Sequence, residues 1–192
     1  MVSAWFIGAR TRVKGNTRMT TALGTVRQVA YVVDDMHKAL DYWIGGMKAG
    51  PFFLFEHAAM ENQLYRGATS NADVSLAVGN SGDVQIEIIY CENDAPSVYK
   101  EFLDAGRVGV HHLGLMPENY PEEYDRYISL GYEAAFECSI AGTQLVYFDT
   151  VNSLGHFTEL WDNSEAFKDF MAEVKAAARG WNGDDPIRTG SL

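Results

Sequence analysis

The feature that most constrains this chain is a pattern that occurs twice. Val26–Val33 reads VRQVAYVV and carries Gln28 ahead of alternating strand residues. Much later, Val108–Met116 reads VGVHHLGLM and carries His112 in the matching place. Two further strands hold a carboxylate between apolar residues: Val84–Tyr90, VQIEIIY, with Glu87, and His156–Trp161, HFTELW, with Glu159. The order is donor strand, carboxylate strand, donor strand, carboxylate strand. This is one module used twice, with Gln28, Glu87, His112 and Glu159 expected to converge on one metal.

The segments between these strands repeat as well. Asp34 or Asp35 starts a helix in which Met36, Ala39, Leu40 and Trp43 fall at helical spacing and Gly45–Gly46 ends it. Pro51–Glu56, Asn62–Arg66, Asp73–Val78 and Val84–Tyr90 read as strands. After a linker at Glu92–Pro96 and a short helix at Ser97–Ala105, the second unit starts at Val108. Pro121 suits a first helical turn, and Gly131 stops that helix. Ala134–Ile140, Thr143–Asp149 and His156–Trp161 complete a second β-α-β-β-β order. The offset between copies shortens from Gln28/His112 to Glu87/Glu159, as tighter strand connections in the second copy would produce.

The expected organisation is an extension over residues 1–23, a first module over 24–92, a linker helix and second module over 93–162, and a helix with tail over 163–192. Asp162–Glu165 resembles a capping box. Phe167, Phe170, Met171 and Val174 then form an apolar stripe. That stripe is read as packing against the sheet or a second subunit, and the tail from Asn182 to Leu192 as loose. In the extension the charges follow the apolar patch Ala4–Ala9, the wrong order for a secretory signal. Met19 offers an internal start, and Trp5–Ile7 is a surface a partner chain would cover.

The 192 residues suffice for one sizeable domain or two small, intimately packed modules. A net charge of −11 argues against a nucleic-acid binder, which needs basic patches to meet phosphates. No apolar run approaches the roughly 18–20 residues that span a bilayer. Cys91 and Cys138 make no disulfide framework, have no histidine at a nucleophile spacing, and are assigned no chemistry. Cytoplasmic location is the expectation.

Taken singly, each donor has a plain structural reading. A lone strand histidine is more often structural, and Glu87 or Glu159 could face solvent. Burial of an unpaired carboxylate is costly, however, and four O/N donors stand in equivalent places of two copies. One imidazole with oxygen donors suits Zn, Ni, Co, Mn or Fe without choosing between them. His111 has the opposite strand parity, so the ligand role goes to His112.

The segments VRQVAYVVDDMHKAL, VQIEIIYCEN, GVHHLGL and LGHFTELWD resemble the vicinal oxygen chelate superfamily. That group includes glyoxalase I, methylmalonyl-CoA epimerase, extradiol dioxygenases and bleomycin-resistance proteins. The resemblance covers about Gly24–Trp161, and its texture is nearer the glyoxalase-like and epimerase branch. It implies an α+β fold, with two paired βαβββ modules forming a curved half-barrel sheet around a metal site, plus a C-terminal helix. The family's ligands carry over by position to Gln28, Glu87, His112 and Glu159, with Gln28 standing where a histidine is more frequent.

The implied activity is an isomerase, epimerase or lyase that moves a proton on a small carbonyl substrate chelated to a divalent metal. Glu159 is the expected base, with Glu56 and Glu61 as candidates for a second acid. Phe52, Phe53, Phe55 and Tyr147 are candidates to line an apolar substrate cavity, and His57 and His156 lie near its rim. The alternatives are a ring-cleaving dioxygenase, which normally needs two histidines and one carboxylate, and a non-catalytic small-molecule binder. A homodimer is expected, with the stripe Phe167–Val174 among its contact surfaces. Few lysines and arginines leave no obvious clamp for a CoA phosphate, so smaller or apolar substrates rank higher.

Overall fold

A computed structural model of the protein describes residues 23–190. The Ala4–Ala9 and Trp5–Ile7 patches and Met19 lie outside the described residues.

Strand β1 (Gln28–Val33) alternates buried and half-buried side chains, because both faces of the sheet are covered. Asp35 then accepts a hydrogen bond from the Lys38 N–H at 2.9 Å and caps α1 (Met36–Asp41), which runs on as a π-helical turn over Tyr42–Gly46. Five strands follow: β2 (Phe52–Phe55), β3 (Met60–Tyr65), β4 (Ala68–Thr69), β5 (Val74–Ser81) and β6 (Val84–Cys91). Helix α2 (Val98–Asp104) is capped by Ser97 and buries Val98, Tyr99 and Phe102.

The second module runs β7 (Gly109–Leu115), α3 (Tyr120–Ser129), β8 (Ala134–Ile140), β9 (Thr143–Phe148), α4 (Val151–Leu154) and β10 (Phe157–Trp161). Asn119 caps α3, and Pro121 sits in its first turn, where a missing N–H costs nothing. The chain closes with α5 (Glu165–Ala178) and a short strand, β11 (Ile187–Thr189).

All strands join one curved, unclosed sheet in the order β11-β2-β5-β6-β1-β7-β10-β9-β8-β3-β4. β1 pairs parallel with β6, β7 pairs parallel with β10, and the two modules meet along the antiparallel pair β1–β7. Helix α1 packs through Leu40 against Phe52, Ala77, Ile86 and Ile88 on the outer face of the first module. The matching outer cluster of the second module contains Tyr120, Tyr127, Val146, Phe148 and Leu160. The inner face carries the largest cluster, which takes in α2 and the apolar side of α5. No helix among the described residues is long and apolar enough to cross a membrane.

Two segments depart from the sequence-based expectation. β3, grouped by sequence with the first module, crosses to the second and pairs with β8, Met60 opposite Ile140 and Leu64 opposite Glu137. Arg66, just beyond it, fixes the crossing. Its guanidinium binds Glu133, Glu101 at 3.0 Å and Asp149 at 2.9 Å. The tail is not loose, because β11 adds to the open edge of β2 and satisfies backbone groups there. The stripe Phe167–Val174 packs on the inner sheet face of its own chain, the first of the two readings given for it.

Candidate functional site

Strand register builds the site before any side chain is considered. Gln28 stands opposite Gln85 on one side and Gly114 on the other; Gly114 faces Glu159, and Glu159 faces Tyr147. Two residues along, a second row runs Val78, Glu87, Ala30, His112, Phe157. Side chains two apart in a strand share a face. Gln28, Glu87, His112 and Glu159 therefore project together on the inner face from the four central strands.

Their atoms meet at one point. His112 Nε2 lies 3.0 Å from Gln28 Oε1, 3.0 Å from Glu159 Oε2 and 3.4 Å from Glu87 Oε2. Only the first contact is a hydrogen bond, and Glu159 Oε2 is buried with no donor among the described residues. All four residues are buried, His112 completely. Burial disfavours charge on His112, but Glu159 and Glu87 outweigh it and push the imidazole up to about 9. Burial also raises the Glu87 carboxyl, against the opposing pull of His112. Among the described residues, no group of three or more His, Cys, Asp and Glu side chains stands ready as a metal cluster. One member of this set is an amide, and the imidazole edge occupies its centre.

The expected parity of His111 is overturned by a β-bulge. Ala30 faces His112 but Tyr31 faces Val110, so His111 is an additional residue in β7. The bulge lets His111 and His112 both be fully buried, with their Nδ1 atoms 3.0 Å apart. His111 Nε2 lies 3.1 Å from the Val98 carbonyl, which can only accept. His111 therefore carries its hydrogen on Nε2, its Nδ1 accepts from His112 Nδ1–H, and His112 Nε2 is the atom turned to the cluster. Burial, and then His112, hold His111 well below the ordinary imidazole range.

Gln85 fixes Gln28 in the same way. Its Oε1 accepts from Gln28 Nε2 at 2.8 Å, which turns Gln28 Oε1 toward His112. Gly114 is glycine because the Trp161 ring lies over it: an added Cβ would stand 2.4 Å from Cζ2 of that ring.

Beside the cluster is a small cavity of about 40 Å³. Phe55, Met60, Leu76, Trp161, Phe167 and Phe170 give it apolar walls, and Gln85, Tyr99 and Tyr147 add polar ones. Tyr99 donates its hydroxyl to Tyr147 at 2.9 Å, which leaves the Tyr147 hydrogen free for another acceptor. Burial raises both phenols well above their ordinary value, so both stay protonated.

Other expected site residues lie elsewhere. Of the three β2 phenylalanines only Phe55 lines the cavity; Phe52 points to the outer cluster, as alternation requires, and Phe53 packs beneath Arg188. Glu56 is exposed and borders an outer depression with Asp34 and Leu40. Glu61 is exposed on β3, with the opposite parity to the cavity residue Met60. His57 pairs with Asp73 at 2.8 Å, and His156 with the Phe157 carbonyl at 2.8 Å. Gln85, Tyr99 and Trp161 are absent from the sequence-based expectation, and His111 enters it only as the neighbour of opposite parity. For Gln85 a signal existed, since it stands two residues before Glu87 and so shares its face.

The family model described as Glyoxalase/Bleomycin resistance protein/Dioxygenase superfamily matches residues 27–148. No curated protein matches the chain. Among solved structures, methylmalonyl-CoA epimerase from Mycobacterium tuberculosis is similar with a TM-score of 0.54 and 14% identity, over 80% of this chain and 97% of that one. A hypothetical protein from Bacillus halodurans is similar with a TM-score of 0.52 and 17% identity, over 73% of this chain and 95% of that one. At these identities the likeness concerns the fold.

Proposed function

The chain belongs to the glyoxalase/bleomycin resistance protein/dioxygenase superfamily, and from that membership we propose a metal-dependent enzyme that moves a proton on a small carbonyl substrate. The observation that carries this reading is the convergence of Gln28, Glu87 and Glu159 on His112 Nε2 beside an apolar cavity.

The residues fit a divalent ion on two grounds. Donors held about 2.0–2.2 Å from one ion stand about 3.0–3.5 Å from each other, and the three contacts to His112 Nε2 measure 3.0, 3.0 and 3.4 Å. The buried Glu159 Oε2 also has a lone pair with no donor, which a cation would satisfy. A bound ion supplies Lewis acidity that stabilises negative charge on substrate oxygens. Gln28, Glu87, His112 and Glu159 would hold it.

Glu159 is the base in this reading, since its side chain lines the cavity beside the donor cluster. Tyr147 offers its spare O–H to a substrate oxygen. The apolar walls exclude water and favour a small apolar substituent. Glu56 and Glu61 face away and take no part, so Glu87 is the remaining carboxylate that a second proton transfer could use. Isomerisation needs only one base, and we favour it over epimerisation and lyase chemistry. The dioxygenase alternative is disfavoured because both nitrogens of His111 are engaged away from the cluster, leaving one histidine donor.

We also propose a homodimer, supported by the exposed apolar residues Tyr42, Met47 and Val108 along one groove. Mass in solution at micromolar concentration tests it; a monomer contradicts it.

Glu159→Gln tests the catalytic reading. It keeps an oxygen donor and the volume but removes the basic carboxylate. Solvent deuterium exchange into a substrate turned over by the metal-loaded wild type should fall by about 10²-fold or more, with metal retained. Unchanged exchange at full metal occupancy removes Glu159 as base. A wild type that binds carbonyl compounds but exchanges none of their hydrogens supports the binding-protein alternative.

A further inference from the structure

Among the described residues, two buried N–H donors at the cavity have no acceptor. Gln85 spends its Oε1 on Gln28, and its Nε2 is buried without a partner. Trp161 is completely buried, and its indole Nε1 also has no partner. Buried donors in folded proteins are nearly always paired, so two orphans on one cavity call for an acceptor. Both residues line the cavity beside Glu87 and Glu159.

The two donors flank Gln28. The Gln85 amide is hydrogen-bonded to the Gln28 amide, and the Trp161 ring lies over Gly114, the neighbour of Gln28 across β1–β7. A Cβ placed on Gly114 would meet both that ring and Gln28 Cβ, the latter at 3.1 Å. A ligand oxygen received here would therefore stand next to the donor cluster.

We propose that Gln85 Nε2 and Trp161 Nε1 form an acceptor subsite for a substrate carboxylate, so that the substrate is a small 2-oxo acid with an apolar substituent. The inference rests on the metal-dependent reading above. A 2-oxo acid chelates an ion through one carboxylate oxygen and the neighbouring oxo group. Its other carboxylate oxygen is then left in a buried, mostly apolar cavity and needs N–H donors. A hydroxyketone has no such oxygen and would leave the donors orphaned, which is how a polar subsite discriminates. Gln85 and Trp161 are neutral, so the anion is met by hydrogen bonds rather than by a counter-charge. The substituent would lie among Phe55, Phe167 and Phe170.

The test compares phenylglyoxylate with 2-hydroxyacetophenone on full-length, cobalt(II)-loaded protein, read by calorimetry. Phenylglyoxylate should bind at least about 10-fold more tightly in the wild type. Gln85→Glu keeps the acceptor for Gln28 and removes the donor; Trp161→Phe removes the N–H and keeps the ring. Each should narrow the gap between the two ligands by about 10-fold, the comparison within one variant cancelling any common change in metal or cavity. Equal binding in the wild type, or an unchanged gap in both variants, overturns the subsite. A second readout does not depend on the ion: the Trp161 indole N–H resonance in ¹⁵N-tryptophan-labelled protein, assigned by its loss in Trp161→Phe. Should the wild type take up no cobalt, a shift of that resonance with phenylglyoxylate supports the subsite while the metal reading fails. An unmoved resonance overturns the subsite as well.

Discussion

His111 Nδ1 and His112 Nδ1 stand 3.0 Å apart, and that contact decides which nitrogen of His112 faces the candidate site. The Val98 carbonyl, 3.1 Å from His111 Nε2, makes His111 the acceptor in the pair. Replacing His111 with Phe removes the acceptor and leaves His112 Nδ1–H buried and unpaired. Loss of such a supporting contact should weaken metal affinity by about 10- to 100-fold. Competition with a chromophoric chelator measures it. Equal affinity in variant and wild type would remove His111 from the positioning role.

Gly114→Ala tests the packing beneath the cluster. The new Cβ would lie 2.4 Å from Trp161 Cζ2 and 3.1 Å from Gln28 Cβ, so the indole has to move. Such overpacking costs about 1–3 kcal/mol. A chain of this size loses about 2–4 °C in Tm for each kcal/mol. Calorimetry should show that drop, and a wild-type Tm would mean the ring shifts freely.

The two states of the site should respond to pH with opposite sign. Burial opposes charge on His112, yet Glu159 and Glu87 raise its pKa from 6.5 to about 9 in the metal-free protein. A raised folded pKa adds stability that is fully present below 6.5 and lost as pH climbs through about 9. Metal-free Tm should lose that contribution between those limits. Metal binding displaces the same proton, so affinity should climb with pH over that interval and level off above it. Parallel melting curves with and without zinc check this; a falling zinc affinity over the interval contradicts it.

Helix α5 closes the cavity through Phe167 and Phe170. A void of about 40 Å³ holds only a few waters, so an organic ligand enters only if this cover gives way. Phe170→Ala should speed ligand association and cost about 1–3 kcal/mol of stability, less than a fully buried phenylalanine because Phe170 is half-buried. Stopped-flow binding tests the first effect; an unchanged association rate would place the entrance elsewhere.

Much of this architecture could be read from residue order. Strand periodicity and the recurrence of donor and carboxylate strands place Gln28, Glu87, His112 and Glu159 on equivalent strands of two copies, and the register sets them in adjacent rows. The bulge at His111 could not be read, because it shows only in how β7 pairs with β1. The crossing of β3 and the addition of β11 depend on which sheet edges are open, and local pattern does not report that. Glu56 and Glu61 were plausible by proximity alone. Glu61 follows the cavity residue Met60 by one position in β3, so strand alternation turns it away, and Glu56 stands in the turn that ends β2.

The central claim is that one ion binds among Gln28, Glu87, His112 and Glu159. Cobalt(II) titration of the metal-free chain, followed by visible absorption and metal analysis after desalting, tests it most directly. The account predicts one ion per chain in the wild type and loss of that ion in His112→Ala, with the variant still folded by circular dichroism. A wild type that takes up no ion, or a folded His112→Ala variant that holds cobalt as tightly, would contradict it.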